Sequence, residues 1–382
     1  MKGTESGTGS DRPRVLHLTT AHQADDVRIL ERECKSLAEL DLYDVTLAAP
    51  GHMPKVEGVA HIPLTETPSR RMLRFLAGHR RGTAISRALT VDIWHIHDPE
   101  LLPTAISLAK RGECVIWDAH EDYWQLFSQP GAKDWVPPAA FRVVSRATGT
   151  LLRLADKNVS AVIAATPQIQ RRYSNPRTVL VGNEARIEDF AGCVPTFESR
   201  RVLFTGPLND GQSFWSVVEA VSAIPECVLL VAGYPPDPSA WLRVTQILGP
   251  RARHLGRLDR AGLREAISQS SLGFCTYADQ IAHQTNRPNK LYEFAAAGLP
   301  VVATPTESNI SLLTDSRAGL IASGFDFESI RLAVMEAWLN SKRWQEWSSN
   351  GIAWSKDQGS WTQSANRLVD LYSDLIAERA GS

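Results

Sequence analysis

Short apolar runs alternate with longer amphipathic segments along most of the chain. Continuous Val/Ile/Leu runs are typical of buried parallel strands, and amphipathic segments between them are typical of crossover helices. In the first half, such runs predict strands near Val15 and at 44–49, 91–96, 114–117 and 159–164. In the second half, they predict strands at 201–204, 228–232, 272–275, 301–303 and 320–321. The pattern therefore predicts an α/β fold with two parallel, Rossmann-like sheets.

The length of the chain also favours two domains, because 382 residues exceed what one ordinary core accommodates. The predicted parts are a disordered tail at 1–12, a first domain at 13–182, a linker at 183–200, a second domain at 201–355 and a returning C-terminal segment at 356–382. Five tryptophans between Trp338 and Trp361 precede an amphipathic helix at 363–377. We expect these tryptophans to pack where that helix crosses back to the first domain.

The segment 287–302 combines a helix start suited to phosphate with an acidic residue one turn further on. Pro288 is expected at the first helical position, which leaves the amides of Asn289 and Lys290 directed out of the helix start. Such a start attracts a diphosphate. The carboxylate of Glu293 lies four positions after Asn289, where it can accept hydrogen bonds from ribose hydroxyls. Gly298 then ends the helix before a buried strand.

This segment resembles the donor-site helix of retaining glycosyltransferases with the GT-B fold, in particular glycosyltransferase family 4. The family pattern has a Glu, seven residues, a second Glu, and then a small-residue helix and Gly-x-Pro-Val-Val. Glu293 matches the second Glu, and Thr285 stands where the first would fall. A branch of the family carries Pro-x-Lys-x-x-Glu instead, as this chain does. The resemblance implies two Rossmann-like domains facing a central cleft, with a C-terminal helix that crosses back to the first domain.

Three further segments resemble this family, in the family's order along the chain: 22–30, 92–103 and 115–123. The last begins as an apolar strand and ends in a cluster of ionisable groups. Open α/β sheets bind ligands at such strand ends. The resemblance implies acceptor or cleft residues in the first domain, namely His22, Asp26, Arg28, His97 and Glu121. It also places His120 against the donor sugar, as a candidate catalytic residue.

The donor side departs from the family at the loop after the first strand of the second domain. Many members carry Gly-Arg and then Lys-Gly there, and both cations clamp the diphosphate. This chain has Pro207 in place of the Arg, and no Lys follows in the loop. We hypothesise that Lys290, with Arg287, supplies the positive charge, and that Arg28 is a further candidate from the first domain. The candidate donor-binding residues are Glu293, Asn289, Arg287, Gly206, Asn209 and Thr205, and Lys290 is the second candidate catalytic residue.

The function implied by the resemblance is transfer of a sugar from a nucleotide-diphosphate sugar to a hydroxyl acceptor, with retention and without a metal cofactor. The acceptor could be a glycan, a lipid-linked glycan or a natural product. Two alternatives remain open. A GT-B nucleotide-sugar epimerase, or a non-catalytic protein that binds sugar nucleotides, would fit the missing Arg, Lys and first Glu. A metal-dependent hydrolase would use His95 and His97, which share a strand face, together with His120.

Composition adds limits on partners and location. The formal charge of −1 gives no general attraction to nucleic acid. The five cysteines are widely scattered, which predicts reduced thiols in a cytoplasmic protein, and no apolar run is long enough to span a bilayer. Six arginines between Arg70 and Arg87 surround a few apolar residues. This basic segment suits an acidic acceptor or weak contact with the inner face of a membrane, although a solvated helix face is favoured.

Overall fold

The structure is a computed structural model and describes residues 12–65, 71–128, 138–234 and 238–381. The chain divides into two compact units: unit 1 contains residues 1–182 and 363–382, and unit 2 contains 183–362. Residues 1–11 of the predicted tail at 1–12 lie outside the described residues, as do Arg70 and the side chains of Arg71 and Arg74.

Unit 1 is built on a seven-stranded sheet with the order β3-β2-β1-β4-β5-β6-β7. Every pairing in it is parallel. The strands are β1 (Arg14–Leu18), β2 (Asp44–Pro50), β3 (Val59–Leu64), β4 (Ile93–Ile96), β5 (Val115–Ala119), β6 (Ala161–Ala164) and β7 (Thr178–Leu180). The central strands are apolar because helices cover both faces of the sheet. Their side chains, including the fully buried Trp94 and Trp117, form the core of the unit.

The first helical segment of unit 1 is a π-helix, Val27–Cys34, which continues as α1 (Lys35–Ala38). The side chain of Asp26 caps its start by accepting hydrogen bonds from the amides of Arg28 and Ile29. The other helices of unit 1 are α2 (Arg71–Ala88), α3 (Leu102–Lys110), α4 (Tyr123–Ser128), α5 (Pro138–Asn158), α6 (Pro167–Gln170) and, from residue 363 onward, α15 (Trp361–Ala380), with a 3₁₀ turn at Pro99–Leu101. In the part of the chain that is described, no helix has the length and apolar character needed to cross a bilayer.

Unit 2 has a six-stranded sheet with the order β10-β9-β8-β11-β12-β13, and its pairings are also parallel. The strands are β8 (Arg201–Thr205), β9 (Val228–Ala232), β10 (Ala252–Gly256), β11 (Leu272–Cys275), β12 (Val301–Ala303) and β13 (Gly319–Ile321). The helices are α7 (Phe214–Ser222), α8 (Pro238–Leu248), α9 (Arg260–Ser268), α10 (Ile281–Gln284), α11 (Asn289–Ala296), α12 (Glu307–Ser316), α13 (Phe327–Leu339) and α14 (Trp344–Asp357). Short 3₁₀ turns lie at Ile187–Phe190, Asp210–Gln212, Gly249–Arg251 and Ser341–Arg343.

The strand order places one topological switch point in each sheet. Successive strands run outward in opposite directions from β1 and β4 in unit 1, and from β8 and β11 in unit 2. In open α/β sheets, the crevice beyond the carboxyl ends of such strands is where ligands bind. Both switch points therefore mark positions at which to look for functional side chains.

The two parallel sheets confirm the predicted fold class, and the differences from the sequence analysis are local. Strands β3, β7 and β10 are not predicted from the sequence, and their side chains are mostly half-buried or exposed; β3 and β10 also lack a continuous apolar run, and β7 is only three residues long. The predicted linker also differs, since Ala185 and Phe190 are buried in a core cluster of unit 2.

Four of the five tryptophans near the end of the chain pack in the core clusters of unit 2, whereas Trp361 begins the returning helix α15. Trp344 and Trp347 belong to a core cluster of unit 2. Trp354 stacks on Tyr292 of α11, with ring centroids 5.4 Å apart. These side chains lie on α14, whose apolar face covers α11, so the cluster stabilises the helix that was predicted to bind the donor.

Candidate active site

The helix expected to bind a diphosphate lies at the switch point of unit 2. Pro288 has φ −76° and ψ 127°, so it is the N-cap of α11. The helix therefore begins at Asn289, one residue later than predicted. An extended residue at this point leaves the first amides of α11 without intrahelical acceptors. Lys290 is the second residue of the helix, and Asn289 is half-buried at the first position. The start of α11 thus retains the character of an anion site.

Lys290 has a buried ammonium group at this helix start. The residue is 8% exposed, and Nζ donates a hydrogen bond to Gln212 Oε1 at 2.7 Å. Nζ also lies 5.1 Å from the ring centroid of Phe204 and 5.0 Å from that of Tyr277. Burial lowers the pKa of Lys290 to about 8. A cation held in apolar and aromatic surroundings has a large electrostatic effect on a bound anion, because little water screens it.

The loop after β8 lies against Lys290. A Cβ on Gly206 would be 3.7 Å from Lys290 Nζ, and Gly206 has φ +124°, a conformation that favours glycine. Asn209 Oδ1 accepts a hydrogen bond from the amide of Gln212 and caps the 3₁₀ turn that carries Gln212. Thr205 is half-buried at the end of β8. The shortened loop therefore places Gly206 and the side-chain amide of Gln212 beside Lys290. In many members of the family that the chain resembles, an Arg and a Lys occupy this loop.

Glu293, expected to bind ribose, has a partner that the sequence did not indicate. Its Oε1 accepts a hydrogen bond from Arg260 Nη1 at 2.7 Å. Arg260 Nε lies 3.6 Å from Asp189 Oδ2, and the guanidinium stacks on the ring of Phe190 at 5.7 Å. Arg260 lies at the start of α9, after its N-cap Asp259, and this position gives no sequence signal for a contact with α11.

Arg287 precedes this helix start and is anchored by two contacts. Its Nη1 donates a hydrogen bond to Tyr292 Oη at 3.2 Å, and its carbonyl oxygen accepts one from Asn183 Nδ2 at 3.0 Å. The side chain of Arg287 is half-buried. The predicted donor-binding residues of unit 2 are thus near the carboxyl ends of β8 and β11 and on the helix that follows, and the structure adds Gln212 and Arg260 to them.

In unit 1, polar side chains gather beyond the carboxyl ends of β1, β4 and β5. Asp98 follows β4, and its Oδ2 accepts hydrogen bonds from Thr19 Oγ1 at 2.8 Å and from the amide of Ala21 at 3.0 Å. These bonds fix the loop that leads from β1 to His22. Asp98 Oδ1 lies 3.6 Å from His22 Nε2. The buried Asp98 therefore orients the loop that carries the first predicted cleft residue.

His22 and His120 form a pair with opposite pKa shifts. Their Nε2 atoms lie 3.1 Å apart, and His22 Nδ1 lies 3.2 Å from Asp26 Oδ2. Burial alone would lower the pKa of His22, but the hydrogen bond and charge of Asp26, assisted by Asp98 and Glu121, raise it to about 10. Burial and then the charge of His22 lower the pKa of His120 to about 4. At neutral pH the pair therefore consists of a cationic His22 and a neutral His120.

The neighbours of His120 restrict its orientation. Tyr123 Oη lies 3.1 Å from His120 Nε2, and Asp118 Oδ2 lies 3.9 Å from its Nδ1. The His120 side chain is 10% exposed, whereas Glu121 beside it is exposed. A neutral, oriented imidazole at a strand end can donate or accept a hydrogen bond to a sugar hydroxyl.

The guanidinium of Arg28, a further candidate for the phosphate clamp in the sequence analysis, is engaged inside unit 1. Nε and Nη2 donate to the two oxygens of Asp118, at 3.1 and 3.0 Å, and Nη1 donates to the carbonyl oxygen of Gly182 at 2.9 Å. Nε also lies 3.2 Å from Glu33 Oε1. With 6% exposure and these bonds, Arg28 organises the interior of unit 1.

His97 is likewise buried rather than exposed at a cleft, with no accessible surface. Its Nδ1 lies 3.1 Å from Asp118 Oδ2, and its Nε2 lies 3.1 Å from His17 Nδ1. The alternative of a hydrolytic metal centre grouped His95, His97 and His120. Among the described residues, two sets could hold a metal ion: His17, Glu33, His95 and His97 form one, and His97, Asp118 and His120 form the other. His95 and His120 thus belong to different sets, so the described residues do not form the three-histidine site that the alternative hydrolase would need.

Comparison with known proteins supports the glycosyltransferase class. Residues 199–340, most of unit 2, match the family model described as glycosyl transferases group 1. None of the curated proteins matches the chain significantly. The match confirms the prediction of a transferase acting on sugars and leaves the specific family and branch as predictions.

The fold is shared with several solved glycosyltransferase structures. Sucrose-phosphate synthase from Thermosynechococcus elongatus is similar with a TM-score of 0.74 and 16% identity, over 96% of this chain and 100% of that one. Anabaena HepE in complex with UDP and glucose has a TM-score of 0.69 and 14% identity, over 95% of this chain and 100% of that one. WaaG, a glycosyltransferase involved in lipopolysaccharide biosynthesis, has a TM-score of 0.68 and 15% identity, over 94% of this chain and 99% of that one. At these identities the likeness establishes the GT-B fold.

Proposed function

We propose that this chain transfers a sugar from a nucleotide-diphosphate sugar, bound by unit 2, to a hydroxyl acceptor bound by unit 1, with retention of anomeric configuration. The proposal includes membership of glycosyltransferase family 4, in the branch with Pro-x-Lys-x-x-Glu. The observation that carries it is the buried ammonium of Lys290, which lies beside Gly206 and at the start of α11, at the switch point of the sheet.

The donor diphosphate would bind at the start of α11. Negative charge develops on the leaving diphosphate as the glycosidic bond breaks, and positive groups that face it lower the barrier. Lys290 would supply that charge in place of the family's loop cations and in place of a divalent ion, with Arg287 as a second cation. The carboxylate of Glu293, held by Arg260, would accept hydrogen bonds from the ribose hydroxyls. The UDP bound by Anabaena HepE makes UDP the first nucleotide to test.

The acceptor and the transferred sugar would contact the His22–His120 pair of unit 1. Neutral His120 would hydrogen-bond a hydroxyl of the sugar, and cationic His22, fixed by Asp26, would orient His120. A pocket of about 400 Å³ lies between α4 and α5, and its lining includes Tyr123, the residue that contacts His120. Trp124 and Arg146 also line it, and these side chains suit a sugar ring and an acidic group.

The cellular setting is also a proposal. All five cysteines are free, and four of them are buried, which suits a reducing, cytoplasmic compartment. On α2, Leu73 and Leu76 are 49% and 56% exposed next to the arginines of the basic segment. These exposed leucines support a weak contact with an anionic membrane surface.

A thermal-shift panel tests the donor site. UDP, GDP, dTDP, ADP and their common sugar conjugates are added to the wild type and to Glu293→Ala. A ligand at a hundred times its dissociation constant adds about 2.7 kcal/mol of stability. We expect one nucleotide to shift the wild type and not the variant. If none of the nucleotides shifts the melting temperature of the wild type, the proposed donor site is contradicted.

Product analysis tests the reaction. Once the donor base is known, NMR of the glycoside formed from a screened acceptor gives its anomeric configuration. An inverted product would contradict the retaining assignment. Nucleotide binding without any transfer would favour the second candidate, a GT-B protein that binds sugar nucleotides without transferring the sugar, which the missing loop cations also favour.

A further inference from the structure

Unit 1 contains a second polar cluster that the proposed transfer reaction does not use. It consists of His17 on β1, Glu33 on the π-helix, His95 on β4 and His97 just after β4. All four residues are 0% exposed. Ionisable side chains are rarely buried so completely unless they are paired or bind a metal.

Four atoms of the cluster converge on one point of the interior. Glu33 Oε2 lies 3.8 Å from His17 Nδ1, 3.9 Å from His95 Nε2 and 4.0 Å from His97 Nε2, and His17 Nδ1 lies 3.1 Å from His97 Nε2. All four atoms are within 4.8 Å of one another. Tetrahedral zinc with ligand bonds of about 2.0–2.2 Å separates its ligand atoms by roughly 3.4 Å. The cluster approaches these separations with three nitrogens and one oxygen.

Two of the four inward atoms have no hydrogen-bond partner among the described residues, whereas His17 Nδ1 and His97 Nε2 lie within hydrogen-bond distance of each other. Within the described part of the chain, neither Glu33 Oε2 nor His95 Nε2 has a hydrogen-bond acceptor or donor. The other carboxylate oxygen, Oε1, lies 3.2 Å from Arg28 Nε, which fixes the orientation of Glu33. A bound cation between Glu33 Oε2 and His95 Nε2 would satisfy both of these buried atoms.

The outward ring nitrogens are held as they are in metal sites. His97 Nδ1 lies 3.1 Å from Asp118 Oδ2, His95 Nδ1 lies 2.7 Å from Tyr372 Oη, and His17 Nε2 lies 3.3 Å from the same hydroxyl. A histidine that binds a metal usually makes a hydrogen bond with its other ring nitrogen, which fixes the ring and directs the free lone pair at the ion. Here all three imidazoles have that arrangement.

The π-helix explains how Glu33 reaches the cluster together with Arg28. Hydrogen bonds from i to i+5 bring residues five positions apart onto one side of the helix, and Arg28 and Glu33 are five apart. In an α-helix, side chains at this spacing point in different directions. Single π turns inside helices are frequent at functional sites.

We propose that His17, Glu33, His95 and His97 bind one structural Zn²⁺ ion inside unit 1. Four protein ligands without accessible surface make a closed site, the kind that stabilises a fold rather than activates water. The three imidazoles and one carboxylate suit zinc, and they also accept Co²⁺ or Ni²⁺. Through Tyr372 the site connects the ends of β1 and β4 to helix α15.

Metal content is the first test. Untagged wild-type protein, free of a histidine tag that would itself bind metal, is purified and analysed by inductively coupled plasma mass spectrometry. We expect about one zinc per chain. Glu33→Gln and His95→Ala should reduce zinc affinity by at least about tenfold, whereas His52→Ala, which removes an exposed histidine of the same unit, should retain it. Circular dichroism checks that each variant is folded.

Two measurements on the wild type keep the proposal testable even if the variants do not fold. X-ray absorption at the zinc edge should show imidazole scattering and nitrogen or oxygen neighbours at about 2.0–2.1 Å. After chelation, added Co²⁺ should produce the visible absorption bands of a tetrahedral ion, and added Zn²⁺ should raise the melting temperature by mass action.

Two results would overturn the proposal. One is a folded wild type that contains no zinc and shows no change in melting temperature with Zn²⁺, Co²⁺ or Ni²⁺. The other is zinc that survives Glu33→Gln and His95→Ala but is lost in His120→Ala, which would place the ion in the His97, Asp118 and His120 set. Neither result bears on nucleotide binding, which depends on residues of unit 2.

Discussion

Glu293 Oε1 lies 2.7 Å from Arg260 Nη1, so the carboxylate expected to bind ribose is oriented by a cation of its own unit. The two side chains are 10% and 21% exposed, respectively. An ion pair that is partly shielded from water holds its geometry better than one on the surface. The pair therefore links α9 to α11, the proposed donor helix, and we propose Arg260 as a positioning residue for nucleotide binding.

Replacement of Arg260 by Gln should weaken nucleotide binding less than Glu293→Ala does. Without the cation, Glu293 keeps its acceptor oxygens but loses its fixed orientation, so we expect the dissociation constant to rise by about fivefold, which corresponds to about 1 kcal/mol. Isothermal titration calorimetry with the nucleotide identified by the thermal-shift panel measures the change. Arg253→Gln, at an exposed arginine of β10, is the matched control. Equal dissociation constants for Arg260→Gln and the control would show that the pair does not position Glu293.

The affinity for a nucleoside diphosphate should fall as the pH rises above about 8. Burial lowers the pKa of Lys290 from 10.5 to about 8, so the free protein loses this positive charge in that range. A bound diphosphate raises the pKa again, so above pH 8 the lysine must regain a proton on binding. The dissociation constant should increase by up to about tenfold per pH unit until the pKa of the complex is reached.

Calorimetry between pH 6.5 and 9.5 measures this dependence. Lys290→Met should bind the nucleotide weakly, and its dissociation constant should not change with pH over the upper part of this range. Lys356→Met, at an exposed lysine of unit 2, should keep the pH dependence of the wild type. A wild-type profile in Lys290→Met would assign the pH dependence to another group.

Removal of the charge at position 22 should raise the pKa of His120. Burial is the largest cause of the lowered pKa of His120 and the cation on His22 is the second. In His22→Gln the burial remains, so the pKa of His120 should rise from about 4 without reaching its ordinary value of 6.5. Histidine-selective NMR titration of wild type and variant measures this pKa. An unchanged pKa would mean that the two imidazoles do not interact.

His22 should also contribute a pH-dependent part of the stability of unit 1. Its pKa in the folded protein is raised to about 10, so its stabilising effect is complete below pH 6.5 and is lost as the pH rises through about 10. The difference in unfolding free energy between wild type and His22→Gln should therefore shrink between pH 7 and 10. Denaturant titrations at several pH values measure it, and a constant difference would contradict a charged His22.

Gly233→Ala should damage the loop at the proposed donor site. Gly233 has φ +152°, and a Cβ there would lie 2.0 Å from the carbonyl oxygen of Gly206. Gly256→Ala provides the control, since Gly256 also has positive φ, +68°, but nothing lies within 4 Å of its added Cβ. The control should lose about 1 kcal/mol of stability from backbone strain.

Gly233→Ala should lower the free energy of unfolding by about 2–4 kcal/mol, because the Gly206 backbone must also move. It should weaken nucleotide binding as well, whereas the control should not. Thermal unfolding and calorimetry measure the two effects. Equal losses in the two variants would indicate that the close approach of Gly233 and Gly206 is relaxed without consequence.

The exposed leucines of α2 should control any membrane contact. Burying a leucine side chain contributes about 1.5–3 kcal/mol, enough for weak adsorption when arginines add electrostatic attraction. The double variant Leu73→Gln, Leu76→Gln should therefore lose cosedimentation with phosphatidylserine vesicles. Leu339→Gln, at a leucine 82% exposed in unit 2, should not. If the wild type does not bind the vesicles, the proposed membrane contact is ruled out.

The sequence predicted the central strands well because burial on both faces leaves an unmistakable apolar run. The edge strand β10 contains Arg253 and His254 and could not be recognised in this way. Lys290 could be identified from its spacing to Glu293 within one helix, and its role in clamping phosphate stays a prediction. Arg260 could not be identified, because its contact with Glu293 joins segments 33 residues apart. The contacts of Arg28 inside unit 1 could not be predicted, because sequence periodicity does not reveal the π-helix on which it lies.

The discontinuity of unit 1 has a consequence for the order in which the protein matures. Residues 363–382 complete unit 1, yet the ribosome makes them only after all of unit 2. Until they emerge, His17 and His95 lack the hydroxyl of Tyr372, and the interior of unit 1 is open along one side. Unit 2, continuous from 183 to 362, can mature during synthesis, whereas unit 1 must wait for the last helix. Termination of synthesis before Tyr372 would therefore harm unit 1, which is made first, more than unit 2.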